Sequence, residues 1–494
     1  MVSVPFLFEP EGISINCHGL KAVAIERVSN SGFSPNYSEA IIAMQKPLII
    51  INALIVNEGQ VFKGSVRVAD GRIGKIEKYA NDVDHHIEDG YRVIDAAGKY
   101  LLPGIIDCHV HFREPGLTHK ADLASESRAA LAGGITSFME MPNTIPQATT
   151  LTLLEEKYQL AAEKSLANYS FFLGASNENI AEIIQANPQK VCGVKVFFGA
   201  STGNMLVDKL SVLEDIFRLS PLPVAVHCED DSLIRVNTDA MRKKFGENVP
   251  VEMHPLIRSA EACYLSSELA VSLAKKHNTR LHITHLSTRR ELSLLEKELP
   301  LDQKRITAEV CTHYLWFCDE DYARLGMKIK VNPAIKSGDD RAALLQGLTD
   351  GHIDIISTDH APHLLAEKEQ SYFKAPSGAP LVQHSLPAML EICRVNNIKT
   401  EFLVEKMCHA PATCYNVQQR GFIREGYFAD LVLVDMDTEW TVDASNIISK
   451  CGWSPWEGHT FKSKVTHTFV NGNLVYENGR FDDASKGLRL MFNR

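Results

Sequence analysis

The sequence predicts an α/β protein, a (β/α)8 TIM-like barrel with a small β-rich domain built from both chain ends. Three observations carry that expectation. Eight short apolar runs alternate with amphipathic stretches through the middle of the chain, glycine-punctuated β-rich segments flank them, and polar residues gather at the C-terminal ends of the runs. Continuous apolar runs separated by helical spacing are the pattern of a parallel sheet buried on both faces, and eight in succession match a closed barrel. An open doubly wound sheet is the runner-up, but no G-x-G-x-x-G turn follows the first run.

Taken in order, residues 1–43 stand apart as an N-terminal extension, expected to be poorly ordered or peripherally packed. Met44 immediately precedes the first strong strand signal, PLIIINALIV. Over 44–98, runs such as SVRVADGRIGKI are divided by glycines, and the same texture returns over 421–494 in ADLVLVD and KVTHTFVNGNLVYENG. These two segments are expected to share one small sheet domain. The barrel then occupies 99–420, with strands expected at 100–107, 135–141, 168–174, 193–198, 223–228, 280–286, 306–310 and 352–359.

Composition narrows the function classes. With 494 residues and 45% hydrophobic content, the chain can bury one large core and a lesser one, since single cores stop growing near roughly 250–300 residues. Lys and Arg number 51 against 61 Asp and Glu, a net charge of -10 spread along the chain, which argues against nucleic acid or an anionic membrane surface as partner. A small molecule is expected instead, with homo-oligomerisation left open. The 11 cysteines include no C-x-x-C pair, which disfavours a disulfide framework or a cysteine-built zinc site and fits a reducing compartment. No leader with a basic start and a sustained apolar stretch is visible, and no run approaches the roughly 20 apolar residues of a spanning helix, so a cytoplasmic protein is expected.

The chemistry is concentrated at the ends of the runs. In DCHVHFREPG, residues 107–116, His109, His111 and Arg113 alternate and would share one face of a persisting strand. Active sites of barrels lie at the C-terminal ends of the strands, and there the sequence places His109 and His111, Asn143, His227, His285 and Asp359, with Lys195 inside the run GVKVFF. A single histidine at a strand end is more often a hydrogen-bonded core residue than a ligand. The joint placement on one rim changes that balance. Lys195 lies between Val194 and Val196, where an unpaired ammonium would be costly. A neutral amine there can add carbon dioxide, giving a carbamate whose oxygens bridge two cations. Four histidines, that group and Asp359 make a nitrogen and oxygen set suited to zinc, and paired metals acidify water and polarise a carbonyl. Asp359 is placed to bind metal and to transfer the proton as general acid and base. His282 is one step out of phase with His285 in RLHITHL, so His285, nearer the strand end, is the expected ligand, and His313 and His360 are left as structural.

These residues resemble the amidohydrolase superfamily and, within its cyclic-amidase branch, the dihydroorotases. The likeness rests on DCHVHFREPG, MPNT, GVKVFFG, VHCED, HITHLST, EVCTHYL, KVNPAIKSG, STDHAPH, RGFIREGYFADLVLVD and WSPWEG, spread over roughly residues 46–480. It implies reversible hydrolysis of the cyclic amide of L-dihydroorotate to N-carbamoyl-L-aspartate in pyrimidine biosynthesis. It implies zinc, two ions per subunit, held by His109, His111, His227, His285, Asp359 and a carboxylated Lys195, with Asp359 as the catalytic acid and base. It also implies substrate contacts from Arg113, Asn143, Asn332, His363 and Gly378. An arginine fork beside the metals independently suits a substrate carboxylate. The segment FGASTGNMLVD resembles a loop that closes over substrate in part of the family, through Thr202. An allantoinase or hydantoinase-like cyclic amidase is the alternative activity, and a non-catalytic assembly partner of aspartate carbamoyltransferase is the alternative of a different class.

Overall fold

Gly104 divides the apolar run 100–107 that the sequence presents as one strand. In the computed structural model, which describes residues 47–79, 90–198, 205 and 207–494, Tyr100–Pro103 and Ile105–Val110 are separate strands of different sheets. A Cβ at Gly104 would collide with the Thr136 side chain, so the chain passes between the two sheets at the one residue that permits the approach. The N-terminal extension, Met44 and Thr202 lie outside the described residues.

Tyr100–Pro103 belongs to a mixed sheet drawn from both ends of the chain. It pairs parallel with Leu48–Asn57 and antiparallel with Leu431–Asp435. From there the sheet extends to Gln60–Ala69 and Arg72–Lys78 on one side and to Lys464–Val470, Asn473–Glu477 and Arg480–Phe481 on the other. One face of this sheet is packed with Ile50, Ile55, Val66, Leu101, Leu431, Leu433 and Phe469. The long-range pairing explains why the two β-rich segments share one texture.

The barrel strands follow in chain order: Ile105–Val110, Ile135–Glu140, Asn168–Phe171 continuing into Leu173–Gly174, Val194–Phe198, Val224–Cys228, Leu281–Ile283, Ile306–Cys311 and Ile355–Ser357. Neighbours pair in parallel throughout, and a parallel bridge between Val110 and His360 closes the eighth strand onto the first. Closure is reinforced by Asp107, whose carboxylate accepts from the Thr358 hydroxyl at 2.6 Å and the Thr358 amide at 3.2 Å. Buried on both faces, these strands carry the continuous apolar runs seen in the sequence.

Five of the longer helices start where a polar side chain can accept from an exposed amide. Asp122, Thr150, Asp230, Ser259 and Ser337 cap Leu123–Ala132, Leu151–Lys164, Asp231–Phe245, Ala260–His277 and Gly338–Thr349. The ten cysteines of the described residues are free and buried. Among the described residues, no helix is long and apolar enough to cross a membrane.

Candidate metal centre

His109, near the end of the first barrel strand, His111 just beyond it and Asp359 beyond the eighth converge at one mouth of the barrel. Asp359 Oδ1 lies 3.3 Å from His109 Nε2 and 3.1 Å from His111 Nε2. One ligand atom from each of the three falls within 4.8 Å of the others, and all three residues are buried, a group able to hold a metal ion.

The second nitrogen of each ring shows why a cation fits. His109 Nδ1 is 2.6 Å from Glu309 Oε1 and His111 Nδ1 is 2.7 Å from Asn143 Oδ1. Both neighbours are acceptors, so each Nδ1 carries the proton and each Nε2 turns a lone pair toward Asp359. Burial lowers the His111 pKa to about 4, which keeps its ring neutral. Burial also opposes ionisation of Asp359; imidazole protons facing it would hold the carboxyl well below its usual range, and with both Nε2 atoms unprotonated a bound cation would serve in their place. Two lone pairs aimed at a carboxylate repel one another until a cation sits among them.

His227, near the end of the fifth strand, and His285, two residues past the sixth, form a second group beside the first. Their Nδ1 and Nε2 share a hydrogen bond at 2.8 Å, and the His285 ring lies 5.2 Å from that of His109. His285 Nδ1 is buried without a partner, an unused ligand atom. The strand ends at Ile283 and His285 takes φ 41°, so the regular alternation used to separate it from His282 fails there. His282 also points inward, one layer deeper, against Thr307 at 2.8 Å and Glu309 at 3.2 Å. Lys195 is 1% exposed, and its ammonium donates to the Thr284 hydroxyl at 2.9 Å. Among the described residues no carboxylate pairs with it, and burial draws its pKa down to about 8.

Arg113, His285 and Asp359 all have left-handed backbone, with φ of 71°, 41° and 49°. Non-glycine residues rarely adopt this conformation, and such strain gathers at functional sites. Arg113 donates from Nε to Pro362 O at 3.0 Å, and its Nη2 lies 3.0 Å from His363 Nε2. Lys120 reaches His363 Nδ1 at 3.1 Å, so that ring lies between two cations. Burial and both cations drive its pKa far down, and it stays neutral. Gly378, at φ 137°, abuts the same ring: an added Cβ would lie 3.0 Å from His363 Cδ2 and 2.5 Å from Ala361 O. Asn332 has a buried, unpartnered Oδ1 and shares no hydrogen bond with the other candidates among the described residues.

Sequence reasoning passed over Glu309. It sits in the seventh strand, buried, and also accepts from the His285 amide at 3.2 Å, so one carboxylate orients His109 and His285 at the rim and His282 beneath them. The signal was present, because a carboxylate inside the run ITAEV raises the same question as the lysine inside GVKVFF. His313 is buried with both ring nitrogens unpartnered, and His360 donates to Glu126 at 2.8 Å while accepting from the Leu381 and Val382 amides.

The Amidohydrolase family profile matches residues 100–475, spanning the barrel and most of the C-terminal strands. The chain belongs to the amidohydrolase family. Within it, the likeness is to the cyclic amidases. A dihydroorotase of Methanosarcina acetivorans is 32% identical over 420 residues, 83% of this chain and 88% of that protein. One of Pyrococcus furiosus is 31% identical over 445 residues, 90% of this chain and 96% of that protein. Among solved structures, the L-hydantoinase (dihydropyrimidinase) of Arthrobacter aurescens superposes with a TM-score of 0.81 at 27% identity, covering 89% of this chain and 98% of that one. This amidohydrolase is therefore an enzyme of the metal-dependent, cyclic-amide-cleaving kind, with a buried His-His-Asp group for the ion.

Proposed function

We propose that the chain catalyses the reversible hydrolysis of L-dihydroorotate to N-carbamoyl-L-aspartate, as a dihydroorotase of pyrimidine biosynthesis. The observation that carries this reading is Arg113. The residue is 7% exposed beside the metal-binding group, and among the described residues no carboxylate pairs with its guanidinium. A buried cation of this kind calls for an anionic partner. A ring bearing a carboxylate supplies one, whereas hydantoin, dihydrouracil and allantoin rings do not. The dihydroorotases at more than 30% identity over most of the chain support the same choice.

In this reading His109, His111, His227, His285, Asp359 and a carboxylated Lys195 would hold zinc, two ions per subunit. Zinc held there would supply Lewis acidity toward the ring carbonyl and toward a water molecule at neutral pH. The remaining work falls to the chain. Arg113 receives the carboxylate through its fork. The Oδ1 of Asn143 is taken by His111, which leaves its Nδ2 to donate to the substrate. Neutral His363 neither repels nor competes with Arg113, and Gly378 and Asn332 complete the wall. Asp359, kept ionised, takes the proton from the attacking water and delivers it to the leaving ring nitrogen, and the same groups close the ring in reverse.

The likeness to an L-hydantoinase favours one other reading, a cyclic amidase for uncharged rings. Ring-opening rates on L-dihydroorotate, dihydrouracil and allantoin decide between them. A preference for dihydroorotate is expected, and preference for either of the others overturns the proposal.

A further inference from the structure

Two buried lysines near the proposed carboxylate contacts carry ammonium groups that meet no acid. Lys368, at the end of the short helix Leu365–Lys368, is 2% exposed. Its Nζ donates to three backbone carbonyls, Lys330 O at 3.0 Å, Pro376 O at 2.8 Å and Gly378 O at 2.8 Å. Lys330 Nζ donates to Tyr372 O and Ala375 O, both at 2.6 Å. The Lys330 carbonyl receives the Gly378 amide at 2.9 Å as well as Lys368, so two chain segments meet on one oxygen. His254 adds a further tie, linking Tyr372 Oη to Val331 O through its two ring nitrogens at 2.8 Å each.

Both segments end in the proposed substrate wall. One runs from Lys330 to Asn332, and the other leads to Ser377, whose carbonyl is 3.1 Å from His363 Nε2, and to Gly378 against the same ring. Three carbonyl acceptors match the three donors of an ammonium, and a neutral amine has one too few. Burial and the nearby charges of Lys330 and Arg113 make that ammonium expensive to keep. A leucine or methionine would fill the space without that expense, but it would leave the carbonyls buried and unpaired.

We propose that Lys368, together with Lys330, is a positioning residue for substrate recognition. It locks the loop at Pro376–Gly378 to the segment at Lys330–Asn332, so that His363 and Arg113 present a preformed pocket to the ring carboxylate. Selection for a charged ring then depends on a lysine that touches no substrate. This rests on the dihydroorotase reading above.

The test is the ratio of kcat/KM for dihydroorotate to that for dihydrouracil in the zinc-loaded enzyme, with metal content measured alongside. Lys368→Gln, which keeps part of the hydrogen bonding, and Lys330→Met are each expected to lower that ratio about tenfold through a raised KM for dihydroorotate, with zinc content unchanged. A folded variant that keeps the wild-type ratio overturns the proposal, as does one in which kcat falls together with zinc content. If neither variant folds, the lysines serve stability alone and the proposal fails. A wild-type enzyme without preference for dihydroorotate would instead refute the underlying reading, and the two failures are thereby distinguished.

Discussion

Glu309→Gln isolates the support beneath the metal-binding group. The carboxylate accepts from His109 at 2.6 Å, from His282 at 3.2 Å and from the His285 amide at 3.2 Å, and it is fully buried. Burial alone would protonate it, yet the imidazoles of His109 and His282 hold its pKa far below the usual range. Glutamine has the same shape, and its amide oxygen can still accept from His109 Nδ1. What it loses is the charge that fixes the His109 tautomer and raises the basicity of Nε2 toward the ion. Loss of such a partner lowers metal affinity about 10- to 100-fold, or about 1.4–2.8 kcal/mol. The metal-free fold should change by less than about 1.5 kcal/mol, because the volume is conserved and a buried charge is removed. Competition against a chromophoric chelator gives the first number, and urea unfolding of the metal-free protein gives the second. Unchanged zinc affinity refutes the role assigned to Glu309, and equal losses of affinity and metal-free stability reduce it to a packing residue.

Arg113→Met should raise KM for dihydroorotate about 10- to 100-fold, the range for a lost hydrogen bond to a charged group, and leave dihydrouracil turnover nearly unchanged. Equal losses on both substrates count against the carboxylate assignment. Lys195 must be a neutral amine to add carbon dioxide, and with its pKa drawn down to about 8 the reactive form grows as pH rises toward 8 and then levels off. Reconstitution of metal-free protein with zinc at a fixed concentration of dissolved carbon dioxide should therefore speed up to about that pH and plateau, and a rate still climbing near the ordinary lysine pKa of roughly 10.4 argues against a buried, perturbed amine. Gly378→Ala combines a left-handed backbone with a Cβ 2.5 Å from Ala361 O, so it should displace His363 and raise KM with zinc binding intact. A crystal structure of the variant with His363 unmoved refutes that route.

What could be read from the chain in advance was whatever burial makes conspicuous. An ammonium within GVKVFF and imidazoles ending apolar runs stand out because water is expected to be absent there, and the structure places Lys195, His109, His227 and His285 in the barrel interior. The closed barrel was legible for the same reason. The break at Gly104 was not, since an apolar run does not announce which of two sheets each half will join. The facing of His282 and His285 also escaped, because the left-handed residue at His285 breaks a period that a single sequence can only extrapolate. Lys330 and Lys368 were invisible for a different reason. In KVNPAIK and LLAEKEQ they read as solvated charges, and only contacts across the fold reveal that backbone carbonyls have replaced water around them.

The metal-binding group and the proposed carboxylate wall rest on separate foundations, which makes their independence measurable. Glu309 braces His109, His282 and His285 from within the barrel. Lys368 braces Gly378 and the Lys330 segment through backbone carbonyls outside it. The two share no hydrogen-bond partner, and effects without shared partners usually add within about 0.5 kcal/mol. The double variant Glu309→Gln with Lys368→Gln should therefore lose zinc affinity by the first factor and dihydroorotate preference by the second, with no coupling beyond that margin. A coupling energy well above it would mean that the wall is positioned through the metal site, and the separate role given to the lysine would fall.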